Sequence, residues 1–367
     1  MYKLRILVID ANPMSFDGIT AAILNYSERL DKERFAIDFV SINDVDPAIV
    51  SRIHKMGACL YTIKGRNKTP ISYINKVAVL IKTNKYNLVH AHGSSCTLTV
   101  EMIAARMAGV PCCPHSHSTN CEKKIAHRVL RPFFNSLYRN GFACSPEAGE
   151  WLFKGKKFYI VNNGIDTRKY AFNPDDRLIV RNRLGIKDSE IIIVQIGFFS
   201  EVKNHKFSLS LLKTLNKRGR QYRIIFAGDG GLIELIKEEA KEQGVFADCI
   251  FLGSIDYIPQ LLSACDVMIL PSLYEGFPFA ALESQANGIK CYVSSKVTRN
   301  VKFCEDLEFL DLSKDIWADK ISDEKKYDQR KRLLASESAI STIIDKGYDI
   351  NNNTKRLEKI YIELAKK

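Results

Sequence analysis

The sequence predicts an α/β protein built from two doubly wound, Rossmann-like domains facing a central cleft. Three observations carry that prediction. Short β-branched apolar runs alternate with longer amphipathic ones, the rhythm of parallel strands covered by helices. The alternation occurs twice, in two series separated by a polar, charged segment. The length, 367 residues, suits two domains of ordinary size. Hydrophobic residues make up 46% and charged ones 26%, the balance of a folded globular chain.

The first series places strands at 4–10, 36–42, 58–63, 87–92, 110–115, 142–145 and 158–161, with helices over 19–30 and 97–110. The second places strands at 190–197, 222–228, 249–253, 266–271 and 290–295, with helices from about 205 and over 231–244. Many of these strands are continuous apolar runs, as expected where a sheet is covered on both faces. The segment 166–186 is polar and reads as a linker. The expected organisation is therefore a first domain over 1–165, a linker over 166–186, a second domain over 187–345, and a closing helix in 346–367 packed back on the first domain. Ligands of such sheets bind outside the carboxyl ends of the strands, so functional residues should follow strands directly.

Charge separates the two series. Residues 1–165 hold 22 Lys and Arg against 12 Asp and Glu, whereas the remaining 202 hold 32 against 30. A basic half attracts phosphate-bearing partners, whether nucleic acid, an anionic membrane surface or a phosphorylated substrate. Nucleic acid is disfavoured, because no recognised motif or aromatic stacking platform accompanies the charge. The ten cysteines form no CxxC pair and lie mostly in apolar runs, which points to free thiols in a reducing cytoplasm. No apolar run approaches the roughly 18 residues of a spanning helix. The opening MYKLRILVID reads as a first strand rather than a signal peptide.

The richest segment is LPSLYEGFPFAALESQANG, 270–288. A strand ends near Pro271, Pro278 suits the first helical position and Gly288 suits the helix end. The first-turn amides of Phe279, Ala280 and Ala281 would form an anion site fit for a diphosphate. Glu275 in the preceding loop and Glu283 roughly two turns into the helix would repel that anion, so their natural partners are hydroxyl groups such as those of a ribose and a hexose. A capped helix with an acidic first turn accounts for the same residues.

The spacing of Glu275 and Glu283 within PSLYEGFPFAALE resembles the E-x7-E signature of the retaining glycosyltransferases of family 4, which have the GT-B fold. VNNGID (161–166), FAGDGG (226–231), GFFSEVKNH (197–205), KVTRNVKFCEDLEFLDL (296–312) and KGYDI (346–350) resemble further family segments in the family's order. The last two are similar to the capsular and exopolysaccharide branch. The resemblance implies that Lys203 binds the donor phosphates, with Gly197 and Gly228 in its glycine turns. It implies donor contacts along Gly276, Phe277, Pro278, Phe279 and Ala280, and catalytic roles for Glu275, Lys203 and His117. Gly18 resembles the family's glycine loop facing donor phosphates and acceptor, with Asp17 replacing the first glycine. Phe198 stands where the family usually has an arginine, so the clamp is one cation short unless Arg299 or the helix amides compensate.

Three further features remain. Cys113, His115 and His117 alternate along one strand face, but Pro114 is expected to interrupt the strand, and no metal site is expected. His90 and His92 read as a polar strand end. Asp44 and Asp46 match a DxD pattern but read as two acids of a solvated loop. Over 121–140 a helix is expected, kinked at Pro132, with Lys124, His127, Arg128 and Arg131 on one side and Ile125, Val129, Phe133 and Leu137 on the other. The basic side is either a solvated face or a surface for anionic lipid or an acceptor diphosphate.

The implied activity is metal-independent, retaining transfer of a hexose or N-acetylhexosamine, with no cofactor. The implied donor is a nucleotide-sugar, commonly a UDP-sugar. The implied acceptor is a glycan, expected to be carried on polyprenyl diphosphate, in capsule, exopolysaccharide or O-antigen assembly. The expected location is the inner face of the cell membrane, held peripherally. The Phe198 departure leaves open a catalytically inactive partner subunit that binds nucleotide-sugar or glycan. A nicotinamide dehydrogenase is disfavoured, because DANPMSFDG lacks the G-x-G-x-x-G fingerprint.

Overall fold

The computed structural model describes residues 3–219, 221–323 and 328–366. It divides into two units, Met1–Gly164 with Ile350–Lys367, and Ile165–Asp349. The first contains β1 (Leu4–Asp10), α1 (Gly18–Arg29), β2 (Phe35–Ser41), α2 (Pro47–Lys55), β3 (Leu60–Thr62), α3 (Pro70–Thr83) and β4 (Leu88–His92). It continues through α4 (Thr99–Ala108), β5 (Cys112–Ser116), α5 (Lys124–Leu137), β6 (Phe142–Ala143), α6 (Pro146–Phe153) and β7 (Tyr159–Ile160). The second unit contains α7 (Pro174–Arg183), β8 (Ile191–Ile196), α8 (His205–Asn216), β9 (Tyr222–Ala227), α9 (Ile233–Glu242) and β10 (Cys249–Gly253). After it come α10 (Ile258–Ala264), β11 (Val267–Leu270), α11 (Phe279–Ala286), β12 (Lys290–Ser294), β13 (Leu307–Leu310), α12 (Lys314–Ser322) and α13 (Gln329–Asp345). The last helix, α14 (Ile350–Ala365), belongs to the first unit.

Both sheets are parallel, with orders β3-β2-β1-β4-β5-β6-β7 and β10-β9-β8-β11-β12-β13. In each, strand order reverses beside the first strand of the series, between β1 and β4 and between β8 and β11, where doubly wound sheets place ligands. Strand β1 shows why the sequence folds this way. Its alternate residues enter two different cores, Leu7 and Ile9 one, Ile6 and Val8 the other, and all four are buried. An unbroken apolar run is stable only in such a doubly covered position.

The reading of 166–186 as a linker is corrected. Five of its charged residues, Asp175, Asp176, Arg177, Arg181 and Arg183, lie in α7, which is part of the second unit. Arg177 and Arg181 donate to carbonyls at the end of α10 and both pair with Asp266, at 2.6 and 3.3 Å. Those partners are more than eighty residues away in sequence, so composition alone presents the segment as solvated. The second unit therefore runs from Ile165 to Asp349, rather than over 187–345.

In the first unit a buried ion pair fixes the loop before α3. The Arg66 guanidinium grips the Glu101 carboxylate of α4 through two hydrogen bonds, at 2.7 and 2.9 Å, and also donates to the Thr97 carbonyl. Removing one partner strands the other as a lone buried charge, which costs about 3–5 kcal/mol. Glu101→Ala is therefore expected to lower the urea midpoint of the first unit sharply. The double change to leucine at 66 and 101 should recover much of the loss. A Glu101→Ala midpoint within error of wild type would show that the pair holds nothing in place.

Candidate active site

In the second unit the site is assembled by the loops after β8, β9 and β11. Gly197 follows β8 with φ 151°, and Gly228 follows β9 with φ 148°, backbone states that L side chains rarely adopt. A Cβ at Gly228 would lie 2.0 Å from the Gly197 carbonyl oxygen, and one at Gly197 would lie 2.9 Å from Cε of Lys203. The next two residues diverge. Phe199 is buried and stacks on His205 at 4.1 Å, anchoring the loop, whereas Phe198 is 40% exposed.

Lys203 closes a one-turn 3-10 helix and sends Nζ to Oε1 of Glu275 at 2.5 Å. Ser272 Oγ donates to the same carboxylate oxygen at 3.0 Å. The Glu275 backbone bridges to Val297, and the Thr298 amide donates to its carbonyl, so the segment leading to Arg299 runs beside this loop. Arg299 itself is exposed and covers the Phe309 ring at 4.9 Å.

The entry into α11 corrects three expectations. Pro278 is the N-cap, with extended ψ, and helical residues begin at Phe279. The Ala281 amide is taken by the Pro278 carbonyl at 3.2 Å, leaving Phe279 and Ala280 as the first-turn donors with no partner inside the helix. Glu283 is the fifth helical residue, about one turn in rather than two; its carboxylate accepts from the Tyr170 hydroxyl at 2.8 Å, and burial raises its pKa. The Phe277 ring stacks on Tyr348 at 5.3 Å and meets Phe279 edge-on, so these two rings are packing groups. Gly276 is exposed, Ala280 is buried, and Gly288 turns the helix end with φ 66°.

In the first unit four histidines stand on one face of two adjacent strands. The register pairs His90 with Cys113 and His92 with His115, so His90 and His92 of β4 face the same side as His115 and His117. The rings are linked in pairs: Tyr361 Oη to His90 Nδ1 at 2.6 Å, His90 Nε2 to His115 Nδ1 at 3.0 Å, and His92 Nδ1 to His117 Nε2 at 2.8 Å. Burial lowers all four pKa values, those of His90 and His117 to about 3, so the imidazoles are neutral near pH 7. Pro114 does not interrupt β5, contrary to expectation. Its ring nitrogen faces the β6 side, where pairing begins only at His115, so no ladder bond is lost. One ring nitrogen each from His90, His92 and His115 lie within 4.8 Å of one another, a spacing that would suit a metal ion. Both nitrogens of His90 and one each of His92 and His115 are, however, already engaged in the hydrogen bonds above.

The placing of Gly18 in a loop is corrected. This glycine is the first residue of α1, and a Cβ there would meet nothing within 4 Å. The helix terminus is instead occupied by Asp17, whose carboxylate accepts from the Ile19 and Thr20 amides at 2.9 Å each. Asp46 likewise caps α2, and Asp44 pairs with Lys64.

Helix α5 is rolled relative to the sequence expectation. His127 is buried, accepts from the Cys96 amide and stacks on Trp151 at 5.0 Å. Arg131 lies against His127 and donates to the Trp151 and Leu152 carbonyls, so it is not part of a free basic face. Lys124 and Arg128 remain exposed, while Ile125, Val129 and Phe133 point to solvent. A helical pattern separates two faces but does not say which turns inward, and here the buried hydrogen bonds of His127 and Arg131 decide.

Two parallel doubly wound units, glycine turns after strands, and an E-x7-E pair flanking a helix entry define a GT-B glycosyltransferase. Comparison with known proteins agrees. A family model described as Glycosyltransferase Family 4 matches residues 16–169, and one described as Glycosyl transferases group 1 matches 176–310. EpsF of Bacillus subtilis (strain 168), a glycosyltransferase by name, is 31% identical over 366 residues, covering 95% of this chain and 94% of its own. The Escherichia coli UDP-Gal:alpha-D-GlcNAc-diphosphoundecaprenol alpha-1,3-galactosyltransferase is 26% identical, covering 99% of this chain and 98% of its own. The crystal structure of Anabaena Alr3699/HepE in complex with UDP superposes with a TM-score of 0.76 at 18% identity, over 98% of this chain and 100% of that one. The chain belongs to glycosyltransferase family 4, in its exopolysaccharide and O-antigen branch.

One buried acid at the first unit's switch point makes a pH prediction. Asp10 ends β1, in register with His92; its Oδ1 accepts from the Asn12 amide and its Oδ2 has no partner. Burial raises its pKa from 3.8 to about 7. The folded protein therefore holds this proton where the unfolded chain has released it. The stabilising contribution is full below about pH 4 and is lost as pH rises through about 7, at roughly 1.4 kcal/mol per unit. Asp10→Asn is expected to remove that slope and to gain on wild type as pH rises. Parallel stability curves for the two proteins across this window would contradict the assignment.

Proposed function

We propose that the protein transfers a hexose or N-acetylhexosamine from a UDP-sugar to a lipid-linked glycan, with retention of configuration and without a metal, at the inner face of the membrane, in assembly of an extracellular polysaccharide. The observation that carries this reading is the convergence of Lys203, Glu275 and the free amides of Phe279 and Ala280 around the loop before α11. Lys203 and those amides are suited to the charge that develops on a leaving diphosphate. Glu275 is suited to sugar hydroxyls and Glu283 to ribose hydroxyls, both as acceptors. In the transfer the bond from the anomeric carbon to the diphosphate breaks, its electron pair leaving on the diphosphate oxygen. The acceptor hydroxyl bonds to that carbon from the same side and gives its proton to the departing phosphate oxygen. In His117, Nε2 is engaged by His92 and Nδ1 is unpaired but buried, so Nδ1 is the nitrogen a substrate hydroxyl would have to reach. The nucleotide and the lipid carrier are read from relatives: the HepE structure contains UDP, and the Escherichia coli relative is named for a diphosphoundecaprenol acceptor.

The test is a thermal-shift screen against a nucleotide-sugar panel, followed by release of nucleoside diphosphate. Saturation at 100 times Kd adds about 2.7 kcal/mol of stability. Glu283→Ala should weaken UDP binding by about 1–3 kcal/mol with the fold intact. Lys203→Ala should lower turnover more than it lowers affinity for the sugar-free nucleoside. No stabilisation by any nucleotide-sugar would overturn the proposal.

Phe198 provides a second measurement. If the phosphate clamp is one cation short, Phe198→Arg should raise affinity for UDP, since the side chain is already 40% exposed. A fall in affinity would mean that the ring fills space to which the site is adapted, and Arg299 would be the cation to remove next.

A further inference from the structure

Helix α5 presents to solvent what an amphipathic helix normally hides. Ile125 is 83% exposed, Val129 62% and Phe133 60%. They are spaced by four residues, so they form one line along the helix about 12 Å long. Scattered exposed apolar residues are ordinary, but an aligned ridge is not. The helix cannot roll to bury it. His127 and Phe134 are fixed inside, Arg131 is tied to two carbonyls at the end of α6, and Pro132 holds the exposed side beside the ridge.

Within the helix the charge beside the ridge is of one sign, with the exposed acid Glu122 lying just before it. No acidic residue occurs from Lys124 to Leu137, and Lys123, Lys124 and Arg128 are exposed. On the helical wheel Lys124 and Arg128 flank the ridge on its solvent side. The whole unit shares the bias. Met1–Gly164 with Ile350–Lys367 holds 27 Lys and Arg against 14 Asp and Glu, while Ile165–Asp349 holds 27 against 28. A second copy is a poor occupant, because a two-fold contact centred on Val129 would bring the two Arg128 side chains together with no acid of the helix to pair them. A convex apolar line with basic flanks matches the interface of a bilayer that carries anionic headgroups.

We propose that α5 docks the first unit onto an anionic bilayer, with Ile125, Val129 and Phe133 entering the headgroup boundary and Lys124 and Arg128 meeting lipid phosphates. This deepens the reading of a lipid-linked acceptor by naming the surface that would bring the enzyme to it.

The experiment is co-sedimentation of the full chain with vesicles of phosphatidylethanolamine and phosphatidylglycerol, with phosphatidylcholine vesicles as the neutral control. Binding to the anionic vesicles is expected, weakening as salt shortens the screening length. Lys124→Ser with Arg128→Ser should cost roughly thirtyfold in affinity. Ile125→Ser with Val129→Ser and Phe133→Ser should cost at least about tenfold, while nucleoside-diphosphate release with a water-soluble acceptor stays unchanged. Phe133→Trp should show blue-shifted fluorescence on adding the anionic vesicles. Absence of binding at low salt overturns the docking surface, as does binding that the triple variant retains. Concentration-dependent dimers that the triple variant abolishes, without vesicle binding, would do the same and assign the ridge to self-association. Failed docking with diphosphate release intact leaves the catalytic reading standing; docking without any diphosphate release overturns the catalytic reading alone.

Discussion

The contact between Lys203 and Glu275 holds the second unit's site together. It joins the loop after β8 to the loop after β11, bringing into contact side chains 72 residues apart. Both are largely withdrawn from solvent, so each charge needs the other. The ammonium has three donors and spends one here, which leaves capacity for a ligand's phosphate. Its aliphatic stem lies across Gly197, and Gly197 in turn abuts Gly228. Charge neutralisation, the absence of a side chain at 197 and the turn after β9 are therefore parts of one arrangement.

The first unit solves a different electrostatic problem. Four imidazoles at the carboxyl ends of β4 and β5 are stacked at ring distances of 4.1–5.1 Å, too close and too dry for several positive charges. Desolvation keeps them neutral, and neutrality makes them useful as matched donors and acceptors. Tyr361 ties this set to α14, the element that arrives from the far end of the sequence. Each ring's proton position is thereby linked to its neighbour's.

Much of the fold was legible because parallel strands buried on both faces are written as unbroken apolar runs; the expected 4–10 and 249–253 strands coincide with β1 and β10. The less legible parts share a cause. Arg177, Arg181, Arg131 and His127 look like solvated residues in sequence, yet each is satisfied by carbonyls, amides or acids supplied by other elements. Lys203 and Glu275 each stand out in the sequence, but nothing local links them as partners. The Asp17 cap was readable: an acid directly before an amphipathic run is an ordinary helix start. The two H-x-H alternations are equally visible, and Pro114 masks the set of four because a proline ordinarily breaks a strand.

The close approach of Gly228 to the Gly197 carbonyl has a consequence for anyone who redesigns this enzyme. At 2.0 Å, even a methyl group on residue 228 would overlap backbone, which cannot swing aside as a side chain can. The turns after β8 and β9 are in effect one moulded part made from two stretches of chain. Grafting either turn alone from a relative risks a collision that no downstream repacking relieves. Swapped together, with Phe199 and its His205 support, they form an exchangeable cassette.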